Sequence, residues 1–118
     1  MGGTPKANVQ KPEVKTTLEN VKAALKGESY ERDTMYPKFI EQARAEKNHA
    51  AVRTFTFALN AETEHAKLYQ EALDNLESWK GGKKDFFVCE VCGMTLTLLP
   101  KDVCPSCSSG KEKFVKIN

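Results

Sequence analysis

The hydrophobic and polar positions between His49 and Lys80 recur with the period of an α-helix. The stretch is rich in Ala, Leu and Glu and contains no Gly or Pro, so intrinsic propensity agrees with the period. Its apolar residues recur at steps of three and four and define one buried face. The residues on that face are Ala51, Phe55, Ala58, Leu59, Ala66, Tyr69, Leu73 and Leu76. The pattern predicts one long helix that ends near Trp79.

Two polar residues, Glu62 and His65, fall on this apolar face one helical turn apart. A carboxylate and an imidazole are costly to bury unless a partner compensates them. A metal ion is a partner that suits both groups; the simpler alternative is a polar patch covered by a loop. His49, in the turn before this helix, is predicted to be an exposed polar residue. Glu62 and His65 are therefore the candidate metal ligands of this helix.

An earlier helical pattern begins at Thr16. Thr16 and Glu19 have the spacing of a capping box, in which the two side chains satisfy each other's backbone amides. Pro37 lies inside the pattern and is predicted to kink the helix. Residues 46–49 form the predicted turn between the two helices. The apolar stripe of the earlier helix contains Leu18, Val21, Leu25, Met35, Phe39 and Ala43.

Two carboxylates, Glu28 and Glu31, occupy the middle of this stripe, where apolar residues are expected. They are one turn apart, like the polar pair of the later helix. Gly27, directly before Glu28, is predicted to leave room for a close approach. A two-helix hairpin cannot enclose these groups, because one side of its apolar stripe stays open to water.

The known solution for such ligands is a four-helix bundle that holds two irons. In it two helices each give a Glu, and two each give a Glu-x-x-His. This chain has one helix of each kind, so two copies related by a two-fold axis would supply the whole set. The six carboxylates of such a dimer would balance two ferric ions but not two ferrous ions. Glu31 is therefore expected to move or to take up a proton on reduction.

The cysteines form two Cys-x-x-Cys pairs separated by 11 residues, a strong indication of a four-thiolate metal site. The candidate ligands are Cys89, Cys92, Cys104 and Cys107. A segment of about 35 residues buries too little surface to fold unaided, so the metal would supply much of its stability. Zinc and a single iron suit four thiolates equally in geometry. Gly93 would let backbone amides turn toward the sulfurs, which suits a redox iron; a structural zinc ribbon is the alternative.

The remaining segments predict how the chain is divided. Gly81 and Gly82 form a helix stop and a domain boundary. Short strands are predicted at residues 86–88, before the first cysteine pair, and at residues 113–117. The expected organisation is a tail over 1–15, a helix pair over 16–80 and a metal-binding domain over 81–118.

Composition narrows the class of protein. The chain has 118 residues, of which 40% are hydrophobic and 29% charged, as in a folded globular protein. Its net charge of +2 is too small to argue for nucleic acid. No apolar run reaches the roughly 18 residues of a membrane span, and no signal peptide is evident. Clustered cysteines favour a reducing compartment, so a cytoplasmic location is expected.

Together these motifs resemble the rubrerythrin family. The residues that carry the resemblance are Gly27-Glu28-Ser29-Tyr30-Glu31, Met35-Tyr36-Pro37, Glu62-Thr63-Glu64-His65, Cys-x-x-Cys-Gly and Cys-Pro-x-Cys. The resemblance runs from about residue 16 to the end, and the tail before it looks like the family's inter-helix loop. The family's first two helices, with their own Glu and Glu-x-x-His, are missing.

The resemblance implies a ferritin-like di-iron bundle followed by a rubredoxin-like domain. It implies reduction of hydrogen peroxide, with electrons arriving from a reductase or rubredoxin and NAD(P)H through the rubredoxin-like iron. Glu28, Glu31, Glu62 and His65 would serve the di-iron site, and the four cysteines the thiolate iron. The partner would be a second copy or a chain carrying the missing helix pair. The alternatives are an electron carrier whose helices only mediate association, and a structural zinc-ribbon protein.

Overall fold

The helical part of the chain is a hairpin of two long segments. The computed structural model describes residues 9–117, so the first part of the predicted tail lies outside the described residues. The first segment is interrupted by a π-helical turn, and the second ends in a short separate helix. In order, the elements are α1 (Thr17–Tyr30), the π-helical turn (Glu31–Met35), α2 (Tyr36–Ala45), α3 (His49–Asp74) and α4 (Leu76–Trp79).

The capping box predicted at the start of α1 is confirmed. The hydroxyl of Thr16 accepts a hydrogen bond from the backbone amide of Glu19 at 3.3 Å. In return, the Thr16 amide donates to the Glu19 carboxylate at 3.1 Å. Two of the amides that the helix itself leaves unpaired are thereby satisfied.

The distortion predicted at Pro37 takes the form of the π-helical turn directly before it. The amide of Tyr36 donates to the carbonyl of Glu31, five residues back, rather than four. Pro37 has no amide hydrogen, and in a regular helix its ring would meet the carbonyl of the residue four positions earlier. Such π-helical turns often occur at functional sites, and this one begins at a candidate ligand.

The second helical segment differs from the single predicted helix at Asn75. There the backbone leaves the helical region, with φ −122° and ψ 24°, and separates α3 from α4. The Asn75 side-chain amide donates to the carbonyl of Glu71 at 2.9 Å, and the Ser78 hydroxyl donates to the Asn75 carbonyl. These side chains compete with the helical ladder for backbone partners. The predicted end at Trp79 is correct, although a break precedes it.

A small antiparallel sheet follows the helices. It contains β1 (Phe86–Cys89), β2 (Thr95–Leu96) and β3 (Phe114–Ile117), in the order β2-β1-β3. The sequence predicted the first and last of these strands but not β2. The alternation of threonine and leucine over residues 95–98 was the available signal.

The helical hairpin encloses few side chains. Its buried residues are Ile40, Ala43, Ala61 and Ala66, whereas the sheet domain buries Cys89, Met94 and Cys104. Leu18 and Phe39, predicted on the buried stripe, are each 41% exposed. The hairpin therefore leaves an apolar face open in the single chain. Over residues 9–117 no helix combines the length and the apolar character needed to cross a bilayer.

Candidate metal centres

Three candidate ligands of the helical hairpin converge on one point. Glu28 comes from α1, and Glu62 and His65 come from successive positions on one face of α3. Nδ1 of His65 lies 2.7 Å from Oε2 of Glu62 and 3.6 Å from Oε2 of Glu28. All three residues have a ligand atom within 4.8 Å of the others. The side chains of Glu28 and Glu62 are 19% and 15% exposed, so the group is largely sheltered from water.

The carboxyl group of Glu28 has unusual electrostatics. Its Oε2 is buried and makes no hydrogen bond within residues 9–117. Burial, followed by the neighbouring Glu62 carboxyl, raises the pKa of Glu28 to about 7, although His65 acts in the opposite direction. An unpartnered buried oxygen beside a second carboxylate and an imidazole is costly for the protein alone. This donor set fits a cation such as iron.

Glu31 lies outside the group formed by the other three residues in the described part of the chain. Its charge nevertheless contributes to the raised pKa of Glu28. It also acts on Tyr36, whose pKa is raised first by burial and then by the charges of Glu62, Glu31 and Glu28. Tyr36 is therefore close to the site. In the sequence Tyr36 entered only through the family resemblance; in the structure its ring packs edge-on against Phe39.

The second ring nitrogen of His65 is held by the sheet domain. Nε2 lies 2.9 Å from the hydroxyl oxygen of Thr95, and that hydroxyl donates to the carbonyl of Gly93 at 3.1 Å. Thr95 belongs to β2, the strand that was not predicted, so sequence analysis missed this contact. The two candidate centres are thus connected within one chain.

The four thiols form the second candidate centre. The sulfurs of Cys89 and Cys107 are 3.8 Å apart, and those of Cys92 and Cys104 are 3.6 Å apart. A tetrahedron with metal–sulfur bonds of about 2.3 Å has edges of about 3.8 Å, so the spacing fits one tetrahedral ion. All four cysteines are free thiols.

Backbone amides approach these sulfurs, as the sequence suggested. Gly93 has φ +77° and donates its amide to the Cys89 carbonyl at 2.8 Å, which closes the first cysteine turn. Burial raises the pKa of Cys92 to about 12, and a hydrogen bond from the Met94 backbone opposes that rise. Such amides stabilise a thiolate and tune the potential of a bound iron.

The thiol of Cys107 differs from the others. Burial acts to raise its pKa, but hydrogen bonds with Ser109, Cys92 and Cys104 outweigh burial and lower the pKa to about 6. Burial raises the pKa of Cys104 despite backbone hydrogen bonds at its sulfur. The sulfurs of the cluster therefore lie in different electrostatic environments.

Both cysteine turns pack against α3 next to its candidate ligands, Glu62 and His65. The side-chain amide of Asn60 donates to the Ser106 hydroxyl at 3.1 Å. A Cβ on Gly93 would lie 3.8 Å from the Cβ of Ala61. These contacts place the thiol centre against the helical turn that carries Glu62 and His65.

A cleft of about 390 Å³ opens where the hairpin meets the sheet domain. Its walls include Val21, Glu28, His65, Leu68, Phe86 and Thr95. Most of this lining is apolar, yet two candidate ligands are exposed in it. The cleft therefore belongs to the face of the hairpin that bears the carboxylate–histidine group.

Two further sequence predictions have clear outcomes. His49 is exposed at the start of α3 and lies outside both ligand groups. The close approach predicted at Gly27 is not made by residues 9–117, because a Cβ there would meet no atom within 4 Å. The space beside Gly27 is open in the single chain.

A helical hairpin with a carboxylate–histidine group, followed by a sheet domain with four clustered thiols, defines the ferritin-like plus rubredoxin-like class. The model of the Rubrerythrin family matches residues 4–73. Rubrerythrin-2 of Clostridium acetobutylicum is 40% identical over 100 residues, covering 82% of this chain and 53% of that protein. Nigerythrin of Nitratidesulfovibrio vulgaris is 34% identical, covering 95% of this chain and 54% of that protein. The chain belongs to the rubrerythrin family.

The solved structures agree with this assignment. A structure of nigerythrin in its fully reduced, all-ferrous state superposes with a TM-score of 0.85 at 32% identity. The match covers 98% of this chain and 56% of the nigerythrin chain. The family binds non-haem iron and its members are oxidoreductases. This chain spans about half the length of the curated relatives it matches.

Proposed function

We propose that two copies of this chain form a four-helix bundle that holds two irons and reduces hydrogen peroxide. In this proposal Glu28, Glu31, Glu62 and His65 of each copy serve the di-iron site. The four cysteines hold one further iron per chain, which passes electrons to that site.

The orphaned oxygen of Glu28 is the observation that carries the proposal. Oε2 is buried, lacks a hydrogen-bond partner and points at the Nδ1 of His65 from 3.6 Å. The protein gains nothing from such an arrangement unless a cation compensates it. Two carboxylates and one imidazole are also what the ferritin-like di-iron bundle takes from half of its helices.

The open face of the hairpin supports a second copy as the partner. Leu18 and Phe39 are exposed there, and the space beside Gly27 is free. Because one chain contributes one Glu helix and one Glu-x-x-His helix, a two-fold axis would complete the ligand set. A chain that carries the missing helix pair would cover the same apolar face and is the alternative partner.

Each residue of the site has a separate role in the proposed reduction of peroxide. When bound, a pair of ferrous ions supplies two electrons, which together with two protons convert hydrogen peroxide to two water molecules. Glu28, Glu62 and His65 would hold the metal, and Glu31, whose charge acts on Glu28, would join them in one oxidation state. Tyr36 keeps its phenolic proton, because burial and three carboxylates raise its pKa, so its hydroxyl can donate a hydrogen bond in the site. A reductase that uses NAD(P)H, or a rubredoxin, would supply electrons to the thiolate iron.

A second candidate function is favoured by one observation. The thiol cluster has a tetrahedral spacing that needs nothing from the helices. The chain would then be a rubredoxin-like electron carrier whose helices only mediate association, or a zinc-ribbon protein.

Iron content and peroxide consumption of the purified chain separate these functions. The peroxidase model expects about two irons per chain, one in the thiolate site and half of a shared pair, with turnover once the protein is reduced. About one iron per chain without turnover would establish the electron carrier instead. A colourless protein with one zinc per chain, unchanged by anaerobic iron reconstitution, would establish the structural role.

A further inference from the structure

The hydrogen bond between His65 and Thr95 fixes how the imidazole is protonated. The Thr95 hydroxyl donates to the carbonyl of Gly93 at 3.1 Å. A carbonyl oxygen only accepts, so the single hydroxyl proton is committed there. The hydroxyl oxygen of Thr95 therefore accepts a hydrogen bond from the Nε2–H of His65 at 2.9 Å.

This protonation state prepares the other ring nitrogen for a metal. Nδ1 faces Glu62 at 2.7 Å and Glu28 at 3.6 Å, and the proton shared there is one that a cation would displace. Histidines that bind metals usually donate their other N–H to a fixed acceptor, which sets the ring orientation and raises the basicity of the ligand. Thr95 is that acceptor here.

The position of Thr95 depends in turn on the thiol site. Thr95 pairs with Val88 in the sheet, one residue before Cys89. The amide of Cys89 donates to the carbonyl of Met94 at 2.9 Å, directly before Thr95. These bonds belong to the turn that carries the first two thiols. A domain this small, with a four-thiolate site, folds together with its metal.

We propose that Thr95 is a positioning residue that couples the loading of the two metal sites. Metal in the thiolate site sets the first cysteine turn and Thr95, Thr95 orients His65, and the carboxylate site gains affinity. The coupling rests on the proposed role of His65 as a ligand. By thermodynamic linkage, metal in the carboxylate site should raise the affinity of the thiolate site by the same factor. A chain built this way assembles its carboxylate centre preferentially when the iron that would re-reduce that centre is already in place.

The test is a cobalt(II) titration of the full chain after its thiolate site has been filled with zinc. Cobalt absorption and calorimetry report binding at the carboxylate site. Thr95→Val keeps the side-chain shape without the hydroxyl and should weaken cobalt binding by about 10- to 100-fold. Thr95→Ser should restore the affinity. Thr97→Val, at an exposed threonine two residues away, should leave it unchanged, and zinc retention by each variant checks the fold.

A double-mutant cycle tests the coupling itself. In a chain carrying Cys104→Ser and Cys107→Ser the thiolate site cannot fill, so cobalt should bind weakly and Thr95→Val should add no further loss. An equal loss in both backgrounds would overturn the coupling, as would wild-type affinity in the zinc-filled Thr95→Val protein. If the zinc-filled wild type binds no cobalt, the carboxylate site of the proposed function is itself wrong, and the coupling falls with it.

Discussion

Oε2 of Glu28 and Nδ1 of His65 lie 3.6 Å apart, although the two residues come from different helices 37 positions apart in sequence. The separation is longer than a hydrogen bond, and the carboxylate oxygen has no other partner among the described residues. The two atoms therefore face each other without a hydrogen bond, while Nδ1 lies 2.7 Å from Oε2 of Glu62.

Removal of a central carboxylate should abolish one iron site and spare the other. We expect Glu62→Ala to lose the iron that is not bound by thiolates, together with peroxide reduction, because its oxygen lies 2.7 Å from Nδ1 of His65 and its ligand atom is within 4.8 Å of that of Glu28. The thiolate absorption should persist, since the four cysteines are untouched. Metal analysis and visible spectra of the purified variant measure both effects.

Glu41→Ala is the matched control, because Glu41 is exposed on α2 and lies outside the ligand group. Glu64, which lies between the ligand candidates Glu62 and His65 in sequence, is less suitable. Its side chain is only 30% exposed, pairs with Lys67 and borders the second cysteine turn. Equal iron loss in the Glu62 and Glu41 variants would refute the assignment.

The thiolate centre should depend on every cysteine. We expect the oxidised wild-type protein to be red, and Cys104→Ser to remove that colour and to unfold much of the sheet domain. Cys104 is 1% exposed and sits in the core of that domain, which is too small to fold without its metal. Leu98→Ser, at a residue that is 80% exposed, should change neither property. Retention of a tightly bound iron chromophore by the Cys104 variant would contradict the four-thiolate site.

The metal-free carboxylate site should make the protein less stable as pH rises. Burial raises the pKa of Glu28 from 4.5 to about 7 in the folded state, so between these values the folded protein binds more protons than the unfolded chain. The free energy of unfolding should therefore fall by roughly 3 kcal/mol from pH 4.5 to pH 7.5. Urea denaturation of protein with zinc in the thiolate site and no other metal measures this change.

Glu28→Gln isolates the carboxyl group responsible, because an amide does not titrate. Its unfolding free energy should vary less over the same pH range. With iron bound to the wild type the dependence should reverse, since protons then compete with the metal for its ligands. A pH profile that is identical in wild type and Glu28→Gln would exclude Glu28 as the cause.

The open face of the hairpin should mediate dimerisation. Sedimentation at micromolar concentration should give about twice the chain mass of 13.2 kDa. Val21 lines the same cleft as Glu28 and His65, so Val21→Glu should weaken the dimer at least about tenfold by placing like charges in an apolar contact. Ala23→Glu, at an exposed position on the same helix, should not. A folded, helical monomer of the wild type would exclude the symmetric site.

The sequence alone predicts both helical segments, two of the three strands and the candidate ligands. Helical periodicity identified Glu28 and Glu62 as carboxylates on apolar faces, where their burial is costly. The spacing of the cysteines indicated a tetrahedral metal site. Both signals are local, because a helix places residues three or four apart on one side and a Cys-x-x-Cys turn brings two sulfurs together. The capping box at Thr16 was likewise readable, since its two hydrogen bonds span three residues.

How these parts meet follows from the tertiary structure alone. It showed that β2 exists, that Thr95 reaches His65 from the sheet domain, and that Glu31 begins a π-helical turn outside the group of three ligands. It also split the long helix at Asn75, where side-chain hydrogen bonds compete with the backbone ladder. Such contacts join residues far apart in sequence, and their geometry depends on how α3 and the sheet pack together. No local pattern of propensity or period encodes that packing.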